Sequence, residues 1–355
     1  MKIRFLKAFK GDSILITVNT DMGPRNILVD GGEGATYKKD IGPVGIPEYG
    51  ELKTITENLR NQKQKIDLLI LTHIDDDHIG GILKWLAEDE GAHELIREIW
   101  FNSGRMIARS LGILENKDLE NRIDTDESTD TSVAQGIKFG KYIKAHGIKW
   151  HEQPILQGQE LKRYGLTFKI ISPEIGHLKR LLKEWKKKEP DLDTAAKSHD
   201  YAMSLRDHVK NDVFEKDRSI PNASSIAFIM QWKDKNFLFL ADAYSSVVED
   251  GLKVFTAEEK LKYELVKLAH HGSAGNMSAD LIDKIDCQNF VISTNGDRHY
   301  HPHKRLLARL IDLKPNSNLY FNYYKKGSKP EIFSKYDYQE YPFNVFEIEK
   351  EFEFV

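Results

Sequence analysis

The chain has 355 residues, 40% hydrophobic and 30% charged, with 52 Lys and Arg against 55 Asp and Glu for a net charge of -3. That length supplies one large or two ordinary domains with ample core material, and so high an apolar share at so small a net charge excludes a disordered chain. With a pI near 6.5 there is no global basic excess, so any nucleic-acid binding would need a local patch.

The one cysteine, Cys287, excludes an intrachain disulfide and a cysteine-built zinc cage. The longest apolar runs, Leu68–Leu71 and Phe237–Ala241, have strand length, and the charged start Met1-Lys2-Ile3-Arg4 lacks a signal-peptide block. The expectation is a soluble, cytoplasmic protein with no membrane association.

In chain order, Ile3–Phe9, Ile14–Val18 and Asn26–Val29 read as strands separated by Lys10-Gly11-Asp12-Ser13 and followed by Asp30-Gly31-Gly32. Lys53–Gln62 reads as a helix and Ile66–Thr72 as a buried strand. After His78, apolar residues at 79, 82, 83 and 86 have helical spacing. Glu98–Phe101 is a further strand, Thr131–His146 a helix, and Leu166–Ile171 a strand ending at Ser172-Pro173. From about 174 to 220 the chain turns polar and charged around a basic helix candidate, Leu178–Lys188, and reads as an inserted lid or subdomain of a single domain spanning 1–355. Strands resume at Ser224–Trp232, Asn236–Ala241, Leu265–Ala269 and Asn289–Ser293, and the aromatic tail from Tyr320 to Phe354 reads as final strands or as a partner surface, core packing being the commoner outcome. Alternating strands and helices favour an α/β or layered α+β architecture.

The segment Thr72-His73-Ile74-Asp75-Asp76-Asp77-His78-Ile79-Gly80-Gly81 places five metal-competent side chains within six residues, between a strand and a helix. Acidic turns that merely cap a helix rarely carry flanking histidines and a Gly-Gly pair that admits a close backbone. A second cluster, His270-His271-Gly272-Ser273, follows another apolar run. Adjacent histidines on a strand point to opposite sides, so one of the two is expected to reach a metal directly. Asp242 ends the strand Phe237–Ala241. In Arg298-His299-Tyr300-His301-Pro302-His303, the last three residues are a structural turn, an anion contact or a proton donor.

The order Gly11-Asp12-Ser13, Asp30-Gly31-Gly32, His73-x-Asp75-x-Asp77-His78-x-Gly80-Gly81, Asp242, His270-His271-Gly272-Ser273, His301-Pro302-His303 resembles the metallo-β-lactamase superfamily. Within it the resemblance is closest to the soluble domain of ComEC-type competence proteins. The superfamily's His-x-His-x-Asp-His has Asp at the second His in that branch, as Asp75 stands here. Asn222-Ala223-Ser224-Ser225 before a strand also matches it.

The resemblance implies a four-layer αββα sandwich with two divalent ions. His73 and Asp75 would hold one, Asp77, His78 and His270 the other, and Asp242 would bridge. The first ion is then one ligand short, to be completed by water, Ser225 or a substrate oxygen. Asp12, Asp30, Ser225 and His271 are expected to orient ligands or fix turns. Asp77, His301 and His303 are the candidate catalytic residues, the two histidines as proton donors or phosphate grips. Asp75 in place of imidazole favours harder ions, so Mn²⁺ is preferred, with Zn²⁺ close and Mg²⁺ possible.

The implied reaction is hydrolysis by a metal-bridged hydroxide, without a Ser or Cys nucleophile. A phosphodiesterase acting on DNA or RNA leads; Lys179, Arg180, Lys183, Lys186, Lys187 and Lys188 read as a backbone contact or, with Glu184, Glu189, Asp191 and Asp193 nearby, as a solvated helix face. The alternatives are a hydrolase of a small phosphoester, nucleotide or lactone, and a non-catalytic metal-binding regulatory module. β-Lactam hydrolysis is disfavoured by Asp75 and the missing third His.

Overall fold

The computed structural model describes residues 1–40, 45–113, 131–184, 198–256, 261–297, 300–324 and 331–355. Its contacts divide the chain into two units, one of 1–156, 173–193 and 351–355, the other of 157–172 and 194–350. The expected α/β class holds, because each unit carries one large sheet with helices. Residues 174–220 are shared out: the helix Ile175–Glu184 belongs to the first unit, and Leu205–Lys210 with the turn Ile220–Ala223 to the second. Lys186, Lys187, Lys188, Arg298 and His299 lie outside the described residues.

The first unit begins with β1 (Lys2–Phe5), β2 (Ile14–Thr20) and β3 (Gly23–Val29), an antiparallel meander. A small pair, β4 (Lys38–Lys39) and β5 (Glu48–Tyr49), precedes the helix Glu51–Asn61. Then β6 (Ile66–Ile70), β7 (Glu98–Trp100) and β8 (Lys149–Trp150) add in parallel beside β3. All five residues of β6 are buried, which explains its near-unbroken apolar run. Asp67 is the exception, and its carboxylate accepts from the Asn26 amide at 2.9 Å beside Arg25 and Arg97.

The second unit repeats this plan. β9 (Glu160–Arg163), β10 (Leu166–Ser172), β11 (Ala227–Trp232) and β12 (Lys235–Phe239) are antiparallel; β13 (Leu265–Lys267), β14 (Asn289–Ile292), β15 (Ser317–Phe321) and β16 (Phe343–Glu347) continue in parallel. Its core gathers Leu238, Leu240, Val266, Phe290, Ile292, Leu307 and Leu319. The aromatic tail packs as expected: Tyr320 on β15 stacks on Phe346 of β16 at 5.0 Å between centroids. A final short strand, β17 (Phe352–Glu353), pairs with β1 in the first unit.

In each unit the sheet thus passes from antiparallel to parallel pairing, and helices follow the parallel strands. The side chains of interest sit just beyond the carboxyl ends of β3, β6, β12 and β13, the usual place for a site on a parallel sheet.

Candidate functional site

In the first unit the chain leaves β6 at Ile70, passes through His73 and Asp75, and enters the helix Asp76–Glu88. Asp76 and Asp77 fill that helix's first turn, where the dipole favours negative charge. Two loops close on it from the side. Gly31 donates to the His78 carbonyl at 2.8 Å and Gly81 to the Gly32 carbonyl at 2.7 Å, and a Cβ on Gly81 would lie 2.0 Å from the Gly31 oxygen. Asp12 donates its amide to the Asp77 carbonyl at 3.1 Å, while a Cβ on Gly11 would meet that oxygen at 1.8 Å. The glycines of all three motifs are there so that backbones can touch.

Asp30, buried and in a left-handed conformation (φ 57), organises the two histidines. Its Oδ1 accepts from the Thr72 amide at 2.8 Å; its Oδ2 accepts from the Thr72 hydroxyl at 2.7 Å and faces His78 Nδ1 at 2.8 Å. Burial pushes the Asp30 carboxyl above its usual range, opposed by His78 and the Thr72 hydrogen bonds. Because the Thr72 hydroxyl gives its proton to Asp30, it accepts from His73 Nδ1, 3.1 Å away. Both imidazoles therefore carry their proton on Nδ1 and keep the Nε2 lone pair for a metal. His73 Nε2 stands 3.6 Å from Asp75 Oδ2, and the His73 and His78 rings are 4.1 Å apart. Ser132 donates to Asp75 Oδ1 at 2.9 Å, a contact with no signal in the sequence.

In the second unit, β13 ends at Lys267 and the two histidines lie not on a strand but in a tight turn. His270 (φ 46) and His271 (φ 53) are both left-handed, so the expectation that they point to opposite sides is corrected: both Nε2 atoms lie 3.6 Å from Asp242 Oδ2. Two consecutive non-glycine residues in that region cost about 1–3 kcal/mol each, strain of the kind that gathers at functional sites. His271 Nδ1 faces the Ser293 carbonyl at 2.9 Å. His270 Nδ1 faces Asn276 Oδ1 at 3.0 Å and Asp217 Oδ2 at 3.4 Å. The Asn276 amide nitrogen donates to Asp217 and to the Asp242 carbonyl, which turns its oxygen toward His270. These two rings also keep Nε2 for a metal.

Burial is the largest influence on His270 and lowers its pKa, but the charges of Asp242 and Asp217 outweigh it and raise the imidazole to about 9. Burial likewise raises Asp217, and the hydrogen bonds and charge of His270 overcome this and bring it down to about 2. Without a metal, His270 is held as a cation between two carboxylates, the place a divalent ion would take.

His303 has the opposite tautomer. Its Nδ1 accepts from the Ala274 amide at 3.0 Å, so Nε2 carries the proton. Burial lowers its pKa, helped by nearby cationic groups and opposed by Asp200. The His301 ring lies 4.9 Å from that of His270 and 4.8 Å from that of His303. Asn222 donates to Asp217 at 2.7 Å, and the buried Ser225 Oγ has no hydrogen-bond partner among the described residues. The residues missed by sequence reasoning, Asp217, Asn276 and Ser132, act through contacts distant in sequence; only Asn222 lay in a recognised motif.

In each unit the donors suit a divalent ion: two imidazoles with Nε2 turned away from the partners that hold Nδ1, and a carboxylate beside them. Residues 9–147, which contain the Gly11, Asp30 and His73–Gly81 motifs, match the model of the metallo-beta-lactamase superfamily. The resemblance read from the motifs is thereby borne out. A curated relative is ComE operon protein 3 of Bacillus subtilis (strain 168), 21% identical over 340 residues, covering 92% of this chain and 34% of that protein. This supports the likeness to the ComEC-type branch, and the chain spans about a third of the length of that relative. Similar solved structures include a Cronobacter sakazakii metallo-β-lactamase with a HARLDQ motif (14% identity, TM-score 0.33, 74% of this chain and 73% of that one). Another is a mutant CmlA beta-hydroxylase (11% identity, TM-score 0.40, 99% of this chain and 54% of that one).

The family match and the Asp and His donors together support a metal-dependent hydrolase. No helix among the described residues is long and apolar enough to cross a membrane.

Proposed function

We propose that the protein is a metal-dependent phosphodiesterase acting on nucleic acid, most simply DNA, with His73, Asp75, Asp77, His78, Asp242 and His270 as metal ligands. The observation that carries this reading is that His73, His78, His270 and His271 are each tied at Nδ1, which leaves Nε2 as the atom a metal would take. Bound divalent ions would supply Lewis acidity toward a phosphoryl oxygen and a water of lowered pKa. Asp75, an oxygen donor, favours Mn²⁺ in that role over Zn²⁺.

The chain's own residues do the rest. Asp30 and Asp217 hold the ligand rings in register and raise their basicity. Ser225, whose buried Oγ has no hydrogen-bond partner among the described residues, is the side chain this reading assigns to complete a short ligand set. His303, with its proton on Nε2, donates to the leaving oxygen or grips a phosphate oxygen. His301, beside it, is the second candidate for that task.

The test is degradation of end-labelled DNA in Mn²⁺ by the wild type and His73→Ala. Loss of DNA cleavage in the variant supports the reading. DNA left intact by the wild type in Mn²⁺, Zn²⁺ and Mg²⁺ while small phosphodiesters are hydrolysed would replace it with the small-substrate alternative.

A further inference from the structure

A groove of roughly 830 Å³ lies within the first unit, away from the ligand side chains. Its walls are the helices Gly104–Ser110 and Thr131–Ala145, and Trp150 of β8 forms part of its lining. The Trp150 ring runs parallel to Phe101 (interplanar angle 6°) and is fixed by its Nε1–H donating to the Phe101 carbonyl at 2.9 Å. The ring is half-buried, and Gly140 lies beside its edge, where a Cβ would be in ordinary van der Waals contact at 3.6 Å.

Among the described residues the groove's charged lining has one sign: Arg105 and Arg109 come from the first helix and Lys141 and Lys144 from the second, with no described acidic residue in the lining. Arg109 and Lys144 have no ion pair among the described residues, and both are exposed. The helix Ile175–Glu184, with exposed Lys179, Arg180 and Lys183, packs against Gly104–Ser110 and extends the basic surface. A chain whose net charge is -3 has concentrated cations here.

The groove is also tied to the ligand loop. Ser132 and Gln135, in the first turns of the helix Thr131–Ala145, donate to Asp75 at 2.9 Å and to Asp76 at 2.7 Å. The following turns of that helix line the groove through Gly136, Gly140, Lys141 and Lys144.

We propose that this groove is a binding track for single-stranded nucleic acid, with phosphates on Arg105, Arg109, Lys141 and Lys144 and an unstacked base against Trp150. It deepens the phosphodiesterase reading and rests on it for the fate of the strand. A cationic rim over an aromatic, largely apolar floor is complementary to a single strand, whose bases are free to stack, and not to a duplex, whose bases face inward.

The experiment measures anisotropy of a fluorescein-labelled oligothymidylate with the full-length chain in EDTA across a salt series. The variants are Arg109→Glu/Lys144→Glu, Trp150→Ala and Asp242→Ala. The double variant is expected to weaken binding at least tenfold and to lower the salt slope by about 1.4, two phosphate contacts at ~0.7 each. Trp150→Ala is expected to lose about tenfold, with circular dichroism confirming that it folds. Asp242→Ala should bind like wild type while cleaving nothing.

Undiminished binding by both groove variants, a preference for duplex, or loss of an acidic peptide's binding in place of the oligonucleotide's would overturn the track. DNA cleaved in Mn²⁺ with an unaltered KM in the double variant would also overturn it and leave the phosphodiesterase reading standing. A strand bound through the groove but never cleaved would do the reverse.

Discussion

In the first unit five metal-competent side chains occupy six consecutive residues, whereas in the second Asp242, His270 and their anchors come from positions as far apart as Asp217 and Asn276. The sheets behind them share one plan, antiparallel strands followed by parallel ones, and in both units the chain turns left-handed where it leaves a strand toward a ligand: Asp30 after β3, Ala241 after β12, His270 and His271 after β13. What differs is how the rings are held. One carboxylate, Asp30, serves two histidines through Thr72; in the second unit His271 leans on a backbone carbonyl and His270 on an Asp–Asn network. A compact motif is positioned by its own neighbours, and a dispersed one needs long-range partners.

The largest expected effect is that of Asp242→Ala, which removes the carboxylate both second-unit imidazoles face. Activity should fall more than ~100-fold, beyond the range for orienting residues, with bound metal reduced in parallel. Next come the two anchors. Asp30→Asn and Asp217→Asn should each weaken metal binding by about 10–100-fold, read by competition with a chelating dye. If only Asp30→Asn does so, the second unit's network is packing and the parallel between the two units breaks.

These contrasts explain what the sequence made legible. The longer strands, among them β2, β6, β10, β11 and β12, stood out because apolar runs such as Ile66–Ile70 are bounded by turn residues, while the short β4, β5, β8 and β9 gave no such run; the Gly80-Gly81 pair marked a close backbone contact now seen. The His73–His78 cluster was legible because its donors are neighbours in sequence. The geometry of His270 and His271 was not, since a strand pattern carries no sign of two successive left-handed residues. Asp217 and Asn276 were invisible for another reason: an Asp in a polar stretch and an Asn after a Gly look like ordinary turn residues until the fold brings them to His270. The division into two similar sheets left no repeat in the sequence, because pairing direction is set by topology and not by any residue.

A smaller effect tests the close contacts of the first unit. Gly81→Ala would place a methyl 2.0 Å from the Gly31 carbonyl and should destabilise by about 1–3 kcal/mol, read from the urea midpoint. The smallest concerns His177, buried on the helix Ile175–Glu184, where burial first and Arg180 second bring the imidazole from 6.5 to about 4. Between those values the unfolded chain binds the extra proton, so the stability this residue contributes is full above pH 6.5 and declines as the pH falls toward 4. His177→Leu should flatten that part of the stability profile without altering metal content.

The most direct measurement is metal content by elemental mass spectrometry on wild type and Asp242→Ala, with labelled DNA incubated in Mn²⁺ alongside. The account predicts about two divalent ions per wild-type chain, as a two-metal phosphodiesterase requires, with metal and DNA cleavage lost together in the variant. A wild type that takes up no divalent ion, or a variant that keeps both its metal and its cleavage, would contradict it.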